Sequence, residues 1–516
     1  MSSTWKRYLS ILFVLLIAVS APMFAQTFHG TVSGTVVDVQ GAVVTGATVQ
    51  LINPGTNFVQ TSKSSSSGEF LFPELPVGIY QLTVTAPGFE TFKMDKISVE
   101  VSKVENIKAQ LSIGAENTVI DVAANAVETD TTSSALVAVI DSKSVQEMPM
   151  NGRNFTQMTH YAPGASALTN SVNGSRTASI NFQLDGADNV DPWLGIVASN
   201  QGGINSVAGG LIPIEAIDQF SMQSGGEADQ GRNAGANANM VIRSGTNNIH
   251  GDIFYFDRNE FFAALSPVAA AGSRKTLIRN HQGGFTLGGP LWKNHTFLFL
   301  AGEVQIAKAN VALVDTVLSD AWIAAAEANI AKYTNPATGQ PYVANPLSLN
   351  LYNLLYPKNS IGGPATVNNY FANGTSNYNS FNGIIKLDQT ISNKQQLSMR
   401  YLGTTGKQTA PTGSDYAEYF QTAPMHILNI GVVHSYIFNS HILNTVTLAT
   451  NYFLQTFNDA DQNFYPNTAG LNLGLPPTGI LAAGAPTISV SGFDETGATQ
   501  PSGRTDVTGH ITDNFH

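Results

Sequence analysis

Apolar and polar residues alternate with period two over much of the C-terminal half. In "IIKLDQTISNKQQLSMRYLG", Ile384 to Gly403, Ile385 and Leu387 point one way, Lys386 and Asp388 the other. After a polar turn, Leu397, Met399 and Tyr401 alternate with Gln396, Ser398 and Arg400. Strand side chains change face at every residue, so this predicts a hairpin with one apolar and one polar face. The next pair repeats the pattern. Leu428, Ile430 and Val432 alternate with Asn429 and Gly431, and Val446, Leu448, Thr450 and Tyr452 with Thr445, Thr447 and Asn451. In "GDIFYFDRNEFF" aromatic residues occupy both faces, as in a strand buried on two sides.

Strands are expected near 250–261, 276–289, 295–306, 377–390, 395–405, 425–438, 441–455 and 505–515. Their connections alternate in length. Those at "PLWKNH", "ISNK" and "NS" are short; those at 262–275, 307–376, 406–424 and 456–504 are long. A soluble barrel has no physical reason to collect its long loops at one end. A transmembrane β-barrel does, with short periplasmic turns and long extracellular loops. The face of Ile385, Leu387, Leu397, Met399 and Tyr401 is therefore expected to meet lipid, and Lys386, Asp388 and Arg400 to line a lumen. Within the first long loop, "SDAWIAAAEANIAKY" predicts a short helix over the barrel mouth, capped by Ser319.

The N-terminus has a different pattern. Lys6 and Arg7 precede an apolar run, Ile11 to Val19, and then "APMFAQ", the layout of a secretory signal with cleavage after Ala25. The alternative, an uncleaved anchor, needs about 20 apolar residues. Beyond it, "GTVSGTVVDVQGAVVTGATVQLINPGTN" and "GEFLFPELPVGIYQLTVTAPGFETF" give short strands with Gly and Pro turns, the spacing of a small β-sandwich.

Composition narrows the function. Only 12% of residues are charged, the net charge is −11, and no basic block exists, which disfavours nucleic acid. With no Cys, disulfides and thiolate metal sites are excluded. No G-x-S-x-G, H-E-x-x-H, P-loop or G-x-G-x-x-G occurs, and no enzyme chemistry or cofactor is expected.

Two resemblances organise the first half. Gly34, Val36, Asp38, Gly41, Gly46, Ala47 and Val49, then Gly68, Phe70, Phe72, Leu75, Gly78, Tyr80, Leu82, Val84, Gly88 and Phe89, resemble the carboxypeptidase regulatory-like domain. The likeness covers about residues 28–113 and implies a transthyretin-like, carbohydrate-binding-like sandwich without peptidase chemistry. It departs at "KSSSSG", where many members carry Asp before the glycine. "MPMNGRN", "LDGADN", "IEAIDQF" and "SGTNNIHG" resemble the plug of TonB-dependent outer-membrane receptors with an Oar-like barrel, and "NAGANANMVIRSG" departs from the family's paired glycines. The resemblance implies a mainly β chain with four segments: a signal over 1–25, a sandwich over 28–113, an α+β plug over 114–248, and a portion of an antiparallel transmembrane barrel over 249–516.

By the same resemblance, Thr118, Val119, Ile120, Asp121 and Val122 are candidates for a strand that pairs with periplasmic TonB; the alternative is a linker or first plug strand. Asn151, Gly152, Arg153, Asn154, Asp185 and Gly186 are the plug candidates. Arg153 suits an anionic ligand, or it holds the plug against the barrel wall. Asp185, Asp188 and Asp191 could bind a hard cation, but the EF-hand spacing is absent and the plug resemblance makes Asp185 and Gly186 structural. The implied function is TonB-driven uptake across a Gram-negative outer membrane, with the sandwich periplasmic and a siderophore, oligosaccharide or peptide as ligand. The alternative is a carbohydrate-binding or adhesion protein at the cell surface that imports nothing. Eight strands are too few to surround a plug of this length, so the chain is expected to be a fragment of a longer protein.

Overall fold

The computed structural model describes residues 29–515, leaving aside 115–118, 124–135, 167–170, 177–178, 192, 201–211, 225–234, 266, 269–271, 273, 359–365, 412–415, 417–418, 440–441, 462–463, 478, 480–482 and 498–500. The expected signal lies outside the described residues. Three β units follow one another along the chain.

The first contains β1 (Gly30–Asp38), β2 (Thr48–Asn53), β3 (Phe58–Lys63), β4 (Glu69–Leu75), β5 (Gly78–Thr85), β6 (Thr91–Val99), β7 (Val104–Leu111) and β8 (Val119–Ala123). A sheet ordered β4-β1-β7 faces a second ordered β3-β2-β5-β6-β8. Alternate residues turn inward, so Val32, Val36, Leu51, Phe70, Leu82 and Ile107 form one buried core. This is the expected sandwich, but its second sheet runs past residue 113. β8 adds in parallel to β6, with Phe92 opposite Ile120.

The middle unit contains β9 (Leu136–Ile140), α1 (Ser142–Glu147), β10 (Ala165–Ser166), β11 (Ser171–Val172), β12 (Ile180–Leu184), β13 (Ala187–Asp188), β14 (Ile217–Ser224) and β15 (Ala236–Ile242). Its main sheet is ordered β13-β12-β15-β14-β9, and only β12 and β15 run parallel. Every residue of β12 and β15 is buried. Phe155, Met158 and Phe220 belong to the same apolar cluster as Phe299, Ile384 and Leu402 of the third unit.

That third unit is one antiparallel sheet of eight consecutive strands: β16 (His250–Asn259), β17 (Ile278–Trp292), β18 (Thr296–Asp315), β19 (Tyr370–Ser392), β20 (Gln395–Ala410), β21 (Gln421–Asn439), β22 (Ile442–Asp459) and β23 (Ser502–Phe515). β16 and β23 are its two edges and do not pair with each other. The hairpin read from sequence is present in register, with Ile385 opposite Tyr401, Leu387 opposite Met399, and Lys386 opposite Arg400. Ile385 is 48% and Tyr401 46% exposed on the outer face, while Lys386 and Arg400 are 4% exposed against the middle unit.

Two differences from the sequence reading are instructive. β16 is not buried on both sides: Ile253 and Tyr255 are exposed, while Phe254 and Phe256 turn towards Arg153. The strands also outrun their apolar alternation. β18 and β19 stay paired from Ala309–Ser376 to Asp315–Tyr370, so the loop expected over 307–376 shrinks to 316–369. A backbone ladder needs no apolar side chains once it has left the lipid band.

The long loops lie at one end, as expected. α2 (Asp320–Ile330) begins where Ser319 Oγ accepts from Trp322 N at 3.3 Å. A second helix, α3 (Pro346–Leu355), was not anticipated. Its signal was present: Asn345 caps Leu347 N at 2.9 Å, and Pro346 occupies the first turn. The loops share a core of Val317, Tyr352, Leu355, Tyr416, Tyr419 and Leu471.

Placing Arg on the lipid face at mid-bilayer costs about 2–4 kcal/mol. Met399→Arg should therefore lower the yield of heat-resistant folded protein in lipid vesicles. Ser398→Arg should not: Ser398 faces inward, donates to Asp388 Oδ1 at 2.7 Å, and borders a cavity of about 550 Å³. Equal yields from the two variants would reverse the assignment of faces.

Candidate functional site

A buried polar contact joins the middle unit to the inner wall of the eight-stranded sheet. It begins with a two-residue turn. Asp185 and Gly186 link β12 to β13 with φ of 44° and 72°, and Leu184 pairs with Ala187. A type I′ turn needs positive φ at both central residues, and Asp-Gly is among the sequences that supply it. The dipeptide was legible as a hairpin signal in its own right.

The turn lays Asp185 against two cations that face each other across β19 and β20. Arg400 Nη1 is 2.7 Å from Asp185 Oδ2, and Lys386 Nζ is 3.4 Å from Oδ1. Ile242 N donates to the same carboxylate at 2.9 Å. The cations are held further: Lys386 donates to Ile242 O at 2.7 Å and Arg400 to Leu184 O at 2.6 Å. Arg400 also donates to Asn429, which donates to Asn451; Asn451 Nδ2 then reaches back to Asp188 O at 2.7 Å. Burial pushes the Asp185 carboxyl up, but Lys386 and Arg400 more than offset this and hold it below its ordinary value.

Two ion pairs flank it, Asp191–Arg504 across the contact and Arg153–Glu215 within the middle unit. Asp191 accepts from Arg504 at 2.5 and 3.2 Å, and the guanidinium lies 4.7 Å from the Phe453 ring centroid. Arg153 donates to Glu215 at 2.5 Å and lies 3.9 Å from the ring centroid of Phe256. Gly152, at φ 68°, turns the chain here and offers its carbonyl to Gln282 at 3.3 Å. Asn151 Oδ1 accepts from Arg258 at 2.8 Å, and Asn154 Oδ1 caps Thr156 N at 3.0 Å.

The six plug candidates thus lie at or beside one contact surface. Arg153 sits within that contact, paired and stacked. Asp185, Asp188 and Asp191 do not converge. Asp185 meets Lys386 and Arg400, Asp188 Oδ1 accepts from Val190 N at 2.8 Å, and Asp191 meets Arg504. Among the described residues no group of His, Asp or Glu is arranged to hold a metal. The coupling candidates are elsewhere. Val119, Ile120, Asp121 and Val122 are in β8 of the sandwich, and Thr118 lies outside the described residues. Sequence reasoning misses Glu215 and Arg504, and it places Asn429 and Asn451 on the polar face without a partner. The sequence reading places Lys386 and Arg400 in a lumen, and the structure shows them opposed in the hairpin and sharing Asp185.

A membrane-facing outer surface, polar residues inside and a domain held by them define an outer-membrane β-barrel architecture. Residues 241–516 match the family model described as "Outer membrane beta barrel domain", and residues 31–112 match "Carboxypeptidase regulatory-like domain". The first match spans over half of the chain, and the protein belongs to the outer membrane beta barrel domain family. It is placed accordingly in the outer membrane. Among the described residues no helix is long and apolar enough to cross a membrane.

The TonB-dependent transporter Oar of Myxococcus xanthus is 25% identical over 301 residues, covering 54% of this chain and 26% of Oar. The chain thus spans about a quarter of that curated relative, which is named as a transporter and not as an enzyme. Among solved structures, the outer membrane transporter YddB of Escherichia coli is 9% identical, with a TM-score of 0.42 over 63% of this chain and 40% of that one. The siderophore receptor PirA of Acinetobacter baumannii is 14% identical, with a TM-score of 0.34 over 74% of this chain and 54% of that one.

Removing one member of a buried ion pair costs about 3–5 kcal/mol, because the partners stay buried and charged. Asp185→Asn should therefore loosen the middle unit, seen as faster limited proteolysis after residue 135 in detergent at pH 7. The folded carboxyl titrates below its unfolded value, so its contribution is complete above the unfolded value and fades as pH falls through the folded one. The gap between variant and parent should accordingly narrow below about pH 4. A gap unchanged by pH would assign the effect to shape and not to charge.

Proposed function

We propose that the protein is a TonB-dependent outer-membrane transporter in which the middle unit is the plug of the barrel begun by residues 249–516, with the sandwich, β8 included, in the periplasm. One observation carries the reading. The middle unit meets the inner wall through charged and amide pairs centred on Asp185, not through a wholly apolar seam. Such a contact fixes position, yet its groups can return to water when they separate. That suits a domain that has to move.

In this reading a ligand reaches the plug from the end of the long loops, TonB grips the segment Thr118 to Val122, and energy from the inner membrane shifts the plug. Asn151, Gly152, Arg153, Asn154, Asp185 and Gly186 act in holding the plug, not in chemistry. Siderophores, oligosaccharides and peptides all fit a polar passage, and the likeness to Oar supports transport over adhesion.

The test is uptake by cells expressing the full-length protein, with labelled ferric siderophores, oligosaccharides and peptides as the panel. At least one label should enter in cells with TonB and fail to enter without it, while binding at the surface persists in both. Proline at Ile120 removes a backbone donor from the extended segment and should reproduce the loss of TonB. Binding without entry in every arm would favour the adhesion reading.

A further inference from the structure

The sandwich does not hang free below the barrel. It is seated on the same end as the short turns, and it touches both of the other units. Val101 N donates to Gln219 Oε1 at 2.9 Å, and Asn239 Nδ2 donates to Ser102 Oγ at 3.0 Å. Asn247 N donates to Gly55 O at 2.8 Å. Asn57 Nδ2 donates to Asn294 Oδ1 at 2.9 Å, in the turn between β17 and β18. A small apolar patch joins all three units: Val77 and Val101 of the sandwich, Val139 and Val241 of the middle unit, and Val433 of β21.

Between these contacts the surfaces do not close. A cavity of about 550 Å³ remains, bounded by Phe58, Val77 and Ile79 on the sandwich side and by Asp218, Arg243 and Lys386 on the other. A contact made of a few hydrogen bonds, five valines and an open cavity is the kind that domains break and remake. It nonetheless lies across the route by which anything leaving the lumen on this side would pass.

We propose that the sandwich is a detachable cap on the periplasmic mouth, and that it has to leave before the plug can move. The proposal rests on the transport reading and adds the order of events. The reason lies in β8. Its five residues are paired in parallel with β6, from Thr91–Val119 to Asp95–Ala123. A pull along β8 loads that ladder in shear, so its hydrogen bonds share the force. The seat of the sandwich is held by isolated hydrogen bonds that form no ladder, and these break singly and in turn. Tension on β8 is passed to the whole sandwich, and the seat yields first.

The geometry supplies its own lock. A Cβ built on Gly55 lies 3.9 Å from Thr246 Cβ, inside the roughly 3.5–4.5 Å range of disulfides. The nearest obstacle is Asn53 Oδ1 at 3.1 Å, the end of a side chain. The chain has no cysteine of its own, so Gly55→Cys with Thr246→Cys forms one defined bridge between the sandwich and the segment that joins the middle unit to β16.

Two reporters read the outcome in the full-length protein in cells whose outer membrane alone is permeabilised, using a maleimide that does not cross the inner membrane. Val433→Cys lies under the cap, and Ala187→Cys lies between plug and wall; both are buried, at 5% and 0% exposure. In unlocked protein, energised cells with TonB should label both sites at least tenfold faster than cells lacking TonB. The oxidised lock should abolish both increases, and a reductant that opens the bridge should restore them. If Ala187→Cys still responds in the oxidised lock, the cap does not precede the plug and the proposal falls. If neither site responds to TonB in unlocked protein, the transport reading beneath it falls.

Discussion

Lipid offers no partner to a backbone N–H or C=O, so every strand that crosses it has to be paired along its length. In this chain that constraint sets the ladder from β16 to β23, in which each strand pairs with its sequence neighbours. It also forces a choice on side chains, because alternate residues face opposite ways. One set is apolar and outward: Ile385, Met399 and Tyr401 are examples. The other set includes Lys386, Arg400 and Asn429, which are buried and need partners. The middle unit provides them. Its position is therefore a consequence of how the wall had to be built.

The partners are chosen with some economy. Lys386 and Arg400 are directly opposed in the ladder, and like charges in that position repel. Asp185 lies between them and satisfies both. Holding it there takes an Asp-Gly turn with two residues in the left-handed region, a conformation that asparagine, aspartate and glycine tolerate best. Apolar contacts from Phe299, Ile384 and Leu402 add attraction without direction. The ion pairs add direction, and their net contribution to stability is small because each charge has lost its water.

Much of this was legible in the sequence, for physical reasons. Period two and loop-length asymmetry exposed the hairpins around Ile385 and Val432, because lipid on one side makes the alternation strict. Ser319 marked α2 because a helix start has orphan N–H groups to satisfy. What remained hidden was of two kinds. The upper ends of β18 and β19 were hidden because, above the lipid, polar residues occupy both faces and the alternation ends. The partners of Asp185 were hidden because they are 201 and 215 residues away, and no local pattern encodes a contact of that range. Arg504 and Asp191, 313 residues apart, were hidden for the same reason.

Lys386 connects the two surfaces on which movement would depend. Its ammonium group holds Asp185 and Ile242 O, and its side chain also borders the cavity beneath the sandwich. Asp218 borders the same cavity, and burial pushes its carboxyl up. While the sandwich is seated, Lys386 and Asp185 interact across protein. Two unit charges about 4 Å apart attract by about 4 kcal/mol near a protein surface and by about 1 kcal/mol in bulk water. Departure of the sandwich would open the cavity to water and weaken the grip of Lys386 on Asp185 towards the lower figure. The cap then does more than block the way out, since its removal lowers the cost of the separation that follows. A plug held by an apolar seam would gain nothing from such wetting, which gives a physical reason for polar groups to be at this junction.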